Sequence, residues 1–358
     1  MTETIATIAD LIRVKHLAGL EAVTVRTALL KRRGLLRHAL KYALWALRPN
    51  GVLRIEDDGP VTFTFQPGAM PWSRVKQQAF KVLGPDTELE AIDDEGLTIT
   101  LHRTRPLLTG RWSAGIVFSG DANEILTMEA AIVGLRAQPE CAQIMVCGPS
   151  EAAGLLSHLG PIDYIAYDLA ARRLPIPQKK NALIAAATGE KVAILHARIV
   201  LQPGCLAAMP AEFDIITPRV EYHEAETVIP YLDWSVTDAL DGGTLPRRQP
   251  PRNDYLREHY LNLMRLGLPY IDGGLFMVNR AAALETPMNE YIAWGEAEDL
   301  EWCARLHAAG RLIDLEPGAL ALSQSFKWSR RMIDQPRLFA AARTLKRAQR
   351  RLQGAIVR

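Results

Sequence analysis

The sequence has few features that would mark a secreted, membrane-spanning or nucleic-acid-binding protein. Only four cysteines occur among 358 residues, and they show neither zinc-site spacing nor the density of a disulfide framework. No apolar run approaches the roughly 18 residues that span a bilayer, and no basic segment followed by an apolar stretch opens the chain. The formal net charge of +2 is too small to predict nucleic-acid binding. These absences predict a cytoplasmic protein with reduced thiols.

The composition is that of an ordinary α/β protein, with 48% hydrophobic and 23% charged residues. The length is sufficient for two domains with proper cores. A seam at residues 103–110 separates two blocks, and the last residues are rich in arginine and lysine. We therefore expect three parts, at residues 1–108, 109–330 and 331–358.

The first block contains both strand-like and helical patterns. We predict a strand within residues 8–17, a helix over about 23–47, a strand at 51–56 and a helix at 73–83. Residues 88–92 and 97–102 flank a turn-forming Asp-Asp-Glu-Gly segment at 93–96, which predicts a hairpin.

In the second block, short apolar strands alternate with helices. Strands are predicted at residues 114–118, 143–147, 163–167 and 192–196, and helices at 124–135 and 179–187. This alternation predicts a Rossmann-like, mostly parallel α/β sheet. Ligands of such sheets bind beyond the carboxyl ends of the strands, so we expect the chemistry in the loops after Phe118, Cys147 and Leu195.

Three motifs of the second block occur in a specific order. Lys180-Asn181 opens an alanine-rich helix before the strand that runs into His196-Ala197-Arg198. A glycine pair, Gly273-Gly274, follows Asp272. An acidic run at residues 296–301 then opens a helix that ends near Gly310. Together these motifs make residues 112–328 resemble the family-2 glycosyltransferases of the GT-A fold.

The resemblance implies a transferase that moves a sugar from a nucleotide-diphosphate donor to a glycan or lipid-linked acceptor, with inversion, in bacterial surface-polysaccharide synthesis. An inverting transfer needs a carboxylate that takes the proton of the acceptor hydroxyl. Asp299 is the candidate base, with Glu298 or Glu296 shaping the acceptor pocket. The alternative is that these acids only cap a surface helix.

The resemblance also assigns ligand contacts to residues at other strand ends. Ser119, Gly120 and Asp121 would contact the nucleotide base and ribose, although Asp121 would equally suit a helix N-cap. Asp272, Gly273 and Gly274 would lie on the acceptor side, or would simply form a tight turn. Lys179, Lys180 and Asn181 lie on the donor side, where the two lysines are candidate phosphate contacts or solvated charges.

The family's metal-binding aspartates are missing. Two aspartates one residue apart usually follow the fourth strand and hold Mg²⁺ or Mn²⁺, but His196 and Arg198 stand at these positions, with Ala197 between them. Arginine does not ligate a metal, because it is permanently protonated. Arg198 would neutralise the diphosphate itself, His196 would be a lone metal ligand, or the domain would be a non-catalytic scaffold. We favour the first reading, which disfavours Mg²⁺ or Mn²⁺ as a cofactor.

Residues 8–105 resemble the later half of a class I S-adenosylmethionine-dependent methyltransferase. Residues 10–17 look like that family's fourth strand, and residues 47–53 look like its turn into the fifth. The glycine-rich loop and the acidic ribose ligand of the first half are absent, so S-adenosylmethionine binding is not expected. A half-sheet with open edges needs a partner, which predicts docking to a partner protein or to a second copy through residues 1–108.

The C-terminal segment interleaves basic and apolar residues. Arg343, Arg347 and Arg351 alternate with Leu345 and Leu352 at loosely helical spacing. A basic amphipathic helix would rest peripherally on the inner face of an anionic membrane. The alternative is a solvated charged helix.

Overall fold

The computed structural model describes residues 1–32, 35–58, 71–108, 110–168, 175–224, 227–230, 271–292 and 298–325. These residues form two β-sheets with helices packed against them, which confirms the α/β class. None of the helices in these ranges combines the length and apolar character needed to cross a bilayer. The basic C-terminal segment lies outside the described residues.

The first sheet has five strands, in the spatial order β1-β2-β3-β5-β4. Strands β1 to β3 are parallel, and β5 and β4 continue the sheet as an antiparallel hairpin. The strands are β1 (Thr2–Ile5), β2 (Leu20–Arg26), β3 (Leu47–Glu56), β4 (Thr87–Asp93) and β5 (Thr98–Arg103). The helices are α1 (Ile8–Val14), α2 (Thr27–Arg32), α3 (Leu36–Ala46) and α4 (Trp72–Leu83). The predicted hairpin, the strand at 51–56 and the helix at 73–83 are confirmed.

Two predicted elements at the start of the chain are wrong. Residues 8–17 were expected to form a strand, but they contain helix α1, which begins with a capping box between Thr7 and Asp10. The helix predicted from residue 23 instead begins as strand β2, in which Val23 and Val25 are buried. β-Branched residues favour a strand when neighbouring strands are available on both sides. Residues 10–17 therefore do not match the fourth strand of a class I methyltransferase, because they begin within a helix.

The second sheet has nine strands. Eight of them follow the spatial order β10-β14-β11-β13-β9-β6-β7-β8, and the ninth, β12, pairs with β11 outside this order. The half β9-β6-β7-β8 is parallel, as predicted. The other half is mixed, because β13 runs antiparallel to both of its neighbours. The strands are β6 (Trp112–Val117), β7 (Cys141–Gly148), β8 (Asp163–Ala166), β9 (Lys191–His196), β10 (Ile199–Leu201), β11 (Ile215–Glu224), β12 (Thr227–Pro230), β13 (Leu275–Asn279) and β14 (Ile313–Ser323).

The helices of the second block complete the layers around this sheet. They are α5 (Ile125–Arg136), α6 (Ile176–Ala186), α7 (Arg280–Glu285) and α8 (Glu298–Ala308). Both helices predicted from the sequence, at 124–135 and 179–187, are confirmed as α5 and α6, the second of which starts three residues earlier.

Arg103 occupies the seam between the two blocks, where it is 1% exposed. Its guanidinium forms an ion pair with Glu212 at 2.5 Å. The same group donates to five backbone carbonyls, those of Leu44, Trp45, Leu47, Arg105 and Pro106. An arginine buried with this many acceptors ties the seam rigidly to both blocks, because each N–H finds a partner.

Buried charges join helix α3 to the second sheet. Lys41 Nζ lies 3.1 Å from the carboxylate of Asp214, and Arg311 Nη1 lies 3.4 Å from its other oxygen. Burial raises the pKa of Asp214, but these two cations outweigh it, so that the pKa lies below its ordinary value. Tyr42 donates to the carboxylate of Asp314 over 2.5 Å. The helical face of residues 1–108 is thus packed against the chain's own second block, and docking of this region to another molecule stays a prediction.

His38 lies in the same interface, and we expect it to make stability depend on pH. Burial lowers the pKa of His38 to about 4 from its model-peptide value of 6.5, and neither ring nitrogen has a hydrogen-bond partner among the described residues. The unfolded chain therefore binds more protons between these two values. The free energy of unfolding is therefore unaffected by His38 above pH 6.5, and His38 lowers it progressively as the pH falls from 6.5 towards 4.

This pH dependence can be measured by urea unfolding of the wild type and of His38→Phe at pH 7 and pH 4.5. The wild type should lose about 2 kcal/mol more than the variant over this interval. His158→Gln, at an exposed histidine, is the control and should keep the wild-type slope. Equal losses in His38→Phe and the wild type would refute the assignment.

Candidate functional site

The candidate site lies where parallel strands of the second sheet end. Strands β6 and β9 are neighbours, with Val117 opposite His196. The backbone N–H of His196 donates to the carbonyl of Gly274 over 2.9 Å, because β13 starts beside the end of β9. The loop at 272–274 and the end of β9 therefore form one edge, although about 75 residues separate them in the sequence.

Gly273 is the centre of this edge. Its N–H donates to Asp299 Oδ2 over 2.9 Å, and the next N–H, that of Gly274, donates to Asp272 Oδ1 over 2.7 Å. A Cβ added at Gly273 would lie 2.6 Å from Lys180 Nζ and 3.3 Å from Glu298 Oε1. A side chain at position 273 would therefore have to displace the Lys180 ammonium.

Lys180 is the cation of this cluster and has no exposed surface. Its Nζ lies 3.6 Å from Glu298 Oε1, an ion pair longer than a hydrogen bond, and 5.7 Å from the ring centre of Phe276. Burial lowers the pKa of Lys180, whereas Glu298, Asp299 and Asp272 act in the opposite direction. The structure thus brings together five predicted site residues, and it shows that Lys180 is not a solvated charge.

The two residues beside Lys180 point to other partners. Lys179 is 3% exposed, and it donates to the carbonyl of Phe118 over 2.6 Å. Asn181 exchanges hydrogen bonds with the backbone of Met288 at 3.0 Å, and it also donates to the side chain of Glu290. Asn181 therefore fixes helix α6 to the segment before α8 and lies apart from the Lys180 cluster.

The segment at 119–121 is organised by contacts within itself. Asp121 Oδ1 accepts from the N–H of Asn123 over 2.9 Å and so caps the following turn, which is the capping role given above as the alternative. Gly120 has a φ of 92°, and an added Cβ would lie 2.9 Å from the ring of Pro149. Glycine allows this close approach between the loops after β6 and β7.

Ser150 and Asp168, which follow strands β7 and β8, form a polar pair that was not predicted from the sequence. Ser150 follows β7, and both its N–H and its hydroxyl donate to Asp168, over 2.8 and 2.6 Å. These hydrogen bonds lower the pKa of Asp168. The signal was the polar residue directly after Gly148-Pro149, at one of the loops expected to carry chemistry.

The triplet after β9 does not offer the oxygen ligands that Mg²⁺ and Mn²⁺ prefer. Arg198 Nη1 lies 3.4 Å from His196 Nδ1, and Ala197 is buried. The backbone of Gln324 donates to the carbonyl of Arg198 over 2.8 Å. In the part of the chain that the structure describes, no group of three His, Cys, Asp or Glu side chains is arranged to hold a metal ion. Glu296 lies outside the described residues.

Helix α8 presents Glu298 and Asp299 in its first turn. Trp302, 1% exposed, holds the helix by donating to the carbonyl of Thr286 over 2.6 Å. The helix ends at Ala308, and Gly310 takes a φ of 83°, as the predicted glycine end requires. The acidic first turn lies at the positive end of the helix dipole.

Comparison with known proteins finds neither a matching family model nor a matching curated protein. A similar solved structure is described as "Crystal structure of GalNAc-T7 with UDP, GalNAc and Mn2+". It shares 15% identity and a TM-score of 0.43, and the match covers 75% of this chain and 57% of that one. The match therefore spans a little over half of the length of that structure.

Gly273→Ala tests the close packing around Lys180. The added methyl group would displace the Lys180 ammonium and the Glu298 carboxylate, so we expect a loss of about 1–3 kcal/mol in the free energy of unfolding. Denaturant titration measures the loss. Gly154→Ala is the matched control, because nothing lies within 4 Å of its added Cβ. Equal stability of the two variants would contradict the packing described here.

Proposed function

We propose that the protein is a glycosyltransferase that moves a sugar from a nucleotide-diphosphate donor to a glycan or lipid-linked acceptor. One observation carries the proposal: Lys180, Gly273, Glu298 and Asp299 converge beside the end of β9 from three separate parts of the chain. Convergence of carboxylates and a buried ammonium at the carboxyl edge of a parallel sheet is typical of a reaction site. The motifs at these positions are those of the glycosyltransferase resemblance.

In this proposal Asp299 is the general base. Its Oδ2 is held by the Gly273 N–H and its Oδ1 by the Leu300 N–H, each at 2.9 Å. A carboxylate oxygen has two lone pairs, so each oxygen keeps one with which to accept the proton of the acceptor hydroxyl. Attack of that hydroxyl on the anomeric carbon opposite the leaving diphosphate inverts the centre. Glu298 shapes the acceptor side together with Asp272 and Gly274.

Arg198 provides the positive charge for the departing diphosphate in this proposal. Its Nε is buried and has no hydrogen-bond partner within the described part of the chain. The planar guanidinium is suited to bidentate contact with phosphate. Ser119, Gly120 and Asp121 lie at the end of the neighbouring strand, on the side proposed for the nucleoside.

The remaining parts of the proposal concern the surroundings of the reaction. Transfer to a lipid-linked acceptor in bacterial surface-polysaccharide synthesis would take place at the inner membrane face, where the basic residues 331–358 would contact anionic lipid. Residues 1–108 would be a methyltransferase-like remnant without catalytic activity of its own.

A non-catalytic scaffold that docks a partner through residues 1–108 is the second candidate. It is favoured by the contacts of Asp121 and Asn181, which are both used within the chain. Isothermal titration calorimetry with nucleoside diphosphates and their sugars distinguishes the two candidates. Binding of a nucleotide-diphosphate sugar supports the transferase, and no binding of any of them supports the scaffold.

Asp299→Asn should abolish transfer. The amide cannot accept the acceptor proton, and general-base catalysis contributes about 10²- to 10⁴-fold to a rate. Release of nucleoside diphosphate in the presence of donor and acceptor provides the measurement. Asp94→Asn, at an exposed hairpin position, is the control. Full activity of Asp299→Asn would remove this residue from the mechanism.

Activity should persist in excess EDTA if Arg198 serves the diphosphate. Arg198→Met should then lower kcat at least about tenfold, because a charge-assisted contact to the leaving group is lost, and Arg198→Lys should retain part of it. Nucleoside diphosphate release with and without EDTA is the measurement. Loss of wild-type activity on chelation would show that a metal carries this role.

A further inference from the structure

Helix α8 is held at its two ends by different blocks of the chain. At its first turn, Asp299 accepts from Gly273 of the second block. At its last turn, Arg37 of helix α3 in the first block donates to the carbonyl of His307 over 2.8 Å and to that of Arg311 over 3.3 Å. The same Nη1 lies 2.8 Å from His307 Nδ1. One guanidinium nitrogen therefore contacts several acceptors at the C-terminal end of α8, where the His307 carbonyl also accepts from the Gly310 N–H over 3.1 Å.

A second contact of the first block lies at the same helix end. A Cβ at Gly310 would overlap the backbone carbonyl of Lys81, in the last turn of α4. The backbone of the α8 terminus therefore touches the backbone of α4 directly. Two helices of the first block, α3 through Arg37 and α4 through Lys81, meet the end of α8.

Helix α3 is held against the second block by two further contacts, which keep Arg37 in place. Lys41 lies one turn after Arg37, on the same face of the helix, and its ammonium pairs with Asp214, the residue directly before strand β11. Tyr42 is hydrogen-bonded to Asp314 of β14. The positive charge of Arg37 also lies at the negative end of the α8 dipole, which adds to the attraction.

The two ends of α8 are close enough to move as one body. The helix has 11 residues, a length of about 16 Å at 1.5 Å per residue. Trp302, Cys303 and Leu306 are each 1% exposed, so its middle is packed firmly. A shift at the last turn would therefore be transmitted along the helix to the Asp299–Gly273 contact.

We propose that Arg37 is a positioning residue, through which the first block sets the placement of Glu298 and Asp299 in the candidate site. Arg37 acts through the helix and does not contact a substrate. This gives the first block a role in the site of the same chain, beyond the docking to a partner or a second copy proposed above.

Amide hydrogen exchange tests the proposal on the intact protein without any substrate. In Arg37→Ala, the amides of the last turn of α8 and of Gly273 should exchange roughly tenfold faster, because the loss of one charge-assisted contact corresponds to about that factor. Arg37→Lys should lie between Arg37→Ala and the wild type, since an ammonium still donates to carbonyls.

Arg54→Ala is the matched control. Arg54 also belongs to the first block, but among the described residues its side chain pairs only with Glu56, on the surface. In Arg54→Ala the amides of α8 should therefore exchange at the wild-type rate. Arg37→Gln is measured beside Arg37→Ala as a milder truncation, in case Arg37→Ala does not fold. Wild-type exchange of the Gly273 amide in the folded Arg37 variants would overturn the proposal.

A kinetic experiment rests on the proposed glycosyltransferase activity. Arg37→Ala should lower kcat roughly tenfold and leave KM for the donor within about twofold, because misplacement of the base affects the transition state more than donor binding. Arg37→Lys should recover part of kcat. A wild-type kcat in Arg37→Ala would contradict the positioning role. If the wild type itself transfers no sugar, the proposed function fails, and hydrogen exchange alone decides the role of Arg37.

Discussion

The packing of the two sheets against each other depends on the carboxylate of Asp214, which pairs with cations of both blocks. This residue is 1% exposed and accepts from Lys41 of the first block and from Arg311 and the Leu312 N–H of the second. A buried ion pair adds little stability when complete, but removal of one partner costs about 3–5 kcal/mol. The charges therefore fix the relative placement of the blocks, because any other arrangement would leave one of them buried and unpaired.

The same constraint operates at the candidate site. Lys180 is fully buried and faces three carboxyl groups, those of Asp272, Glu298 and Asp299. Its ammonium occupies the space beside Gly273 that a side chain would need. The buried cation orders the acidic groups before any ligand arrives, which is the preorganisation that an electrostatic site needs. The lysine predicted to contact phosphate thus has a role inside the cluster.

The sequence predicts the parallel half of the second sheet well, because apolar strands and helices alternate there with short loops. The helix predicted from residue 23 is wrong at residues 23–26, since the strand character of Val23 and Val25 depends on neighbours that lie far away in the sequence. The acidic start of α8 was recognisable as a motif. That Lys180 would turn inward to meet it was not, because local spacing does not report which long-range pairs become buried.

The contact between Gly310 and the Lys81 carbonyl limits how this protein can be divided. Backbone touches backbone there, so no change of side chain on either block alone can restore the fit if the partner is exchanged. A chain cut at the seam would leave Asp214 without Lys41 and Asp314 without the hydroxyl of Tyr42. Neither block can therefore be exchanged by itself. A recombination event that replaced one block would also have to provide a backbone that fits the other block at this contact.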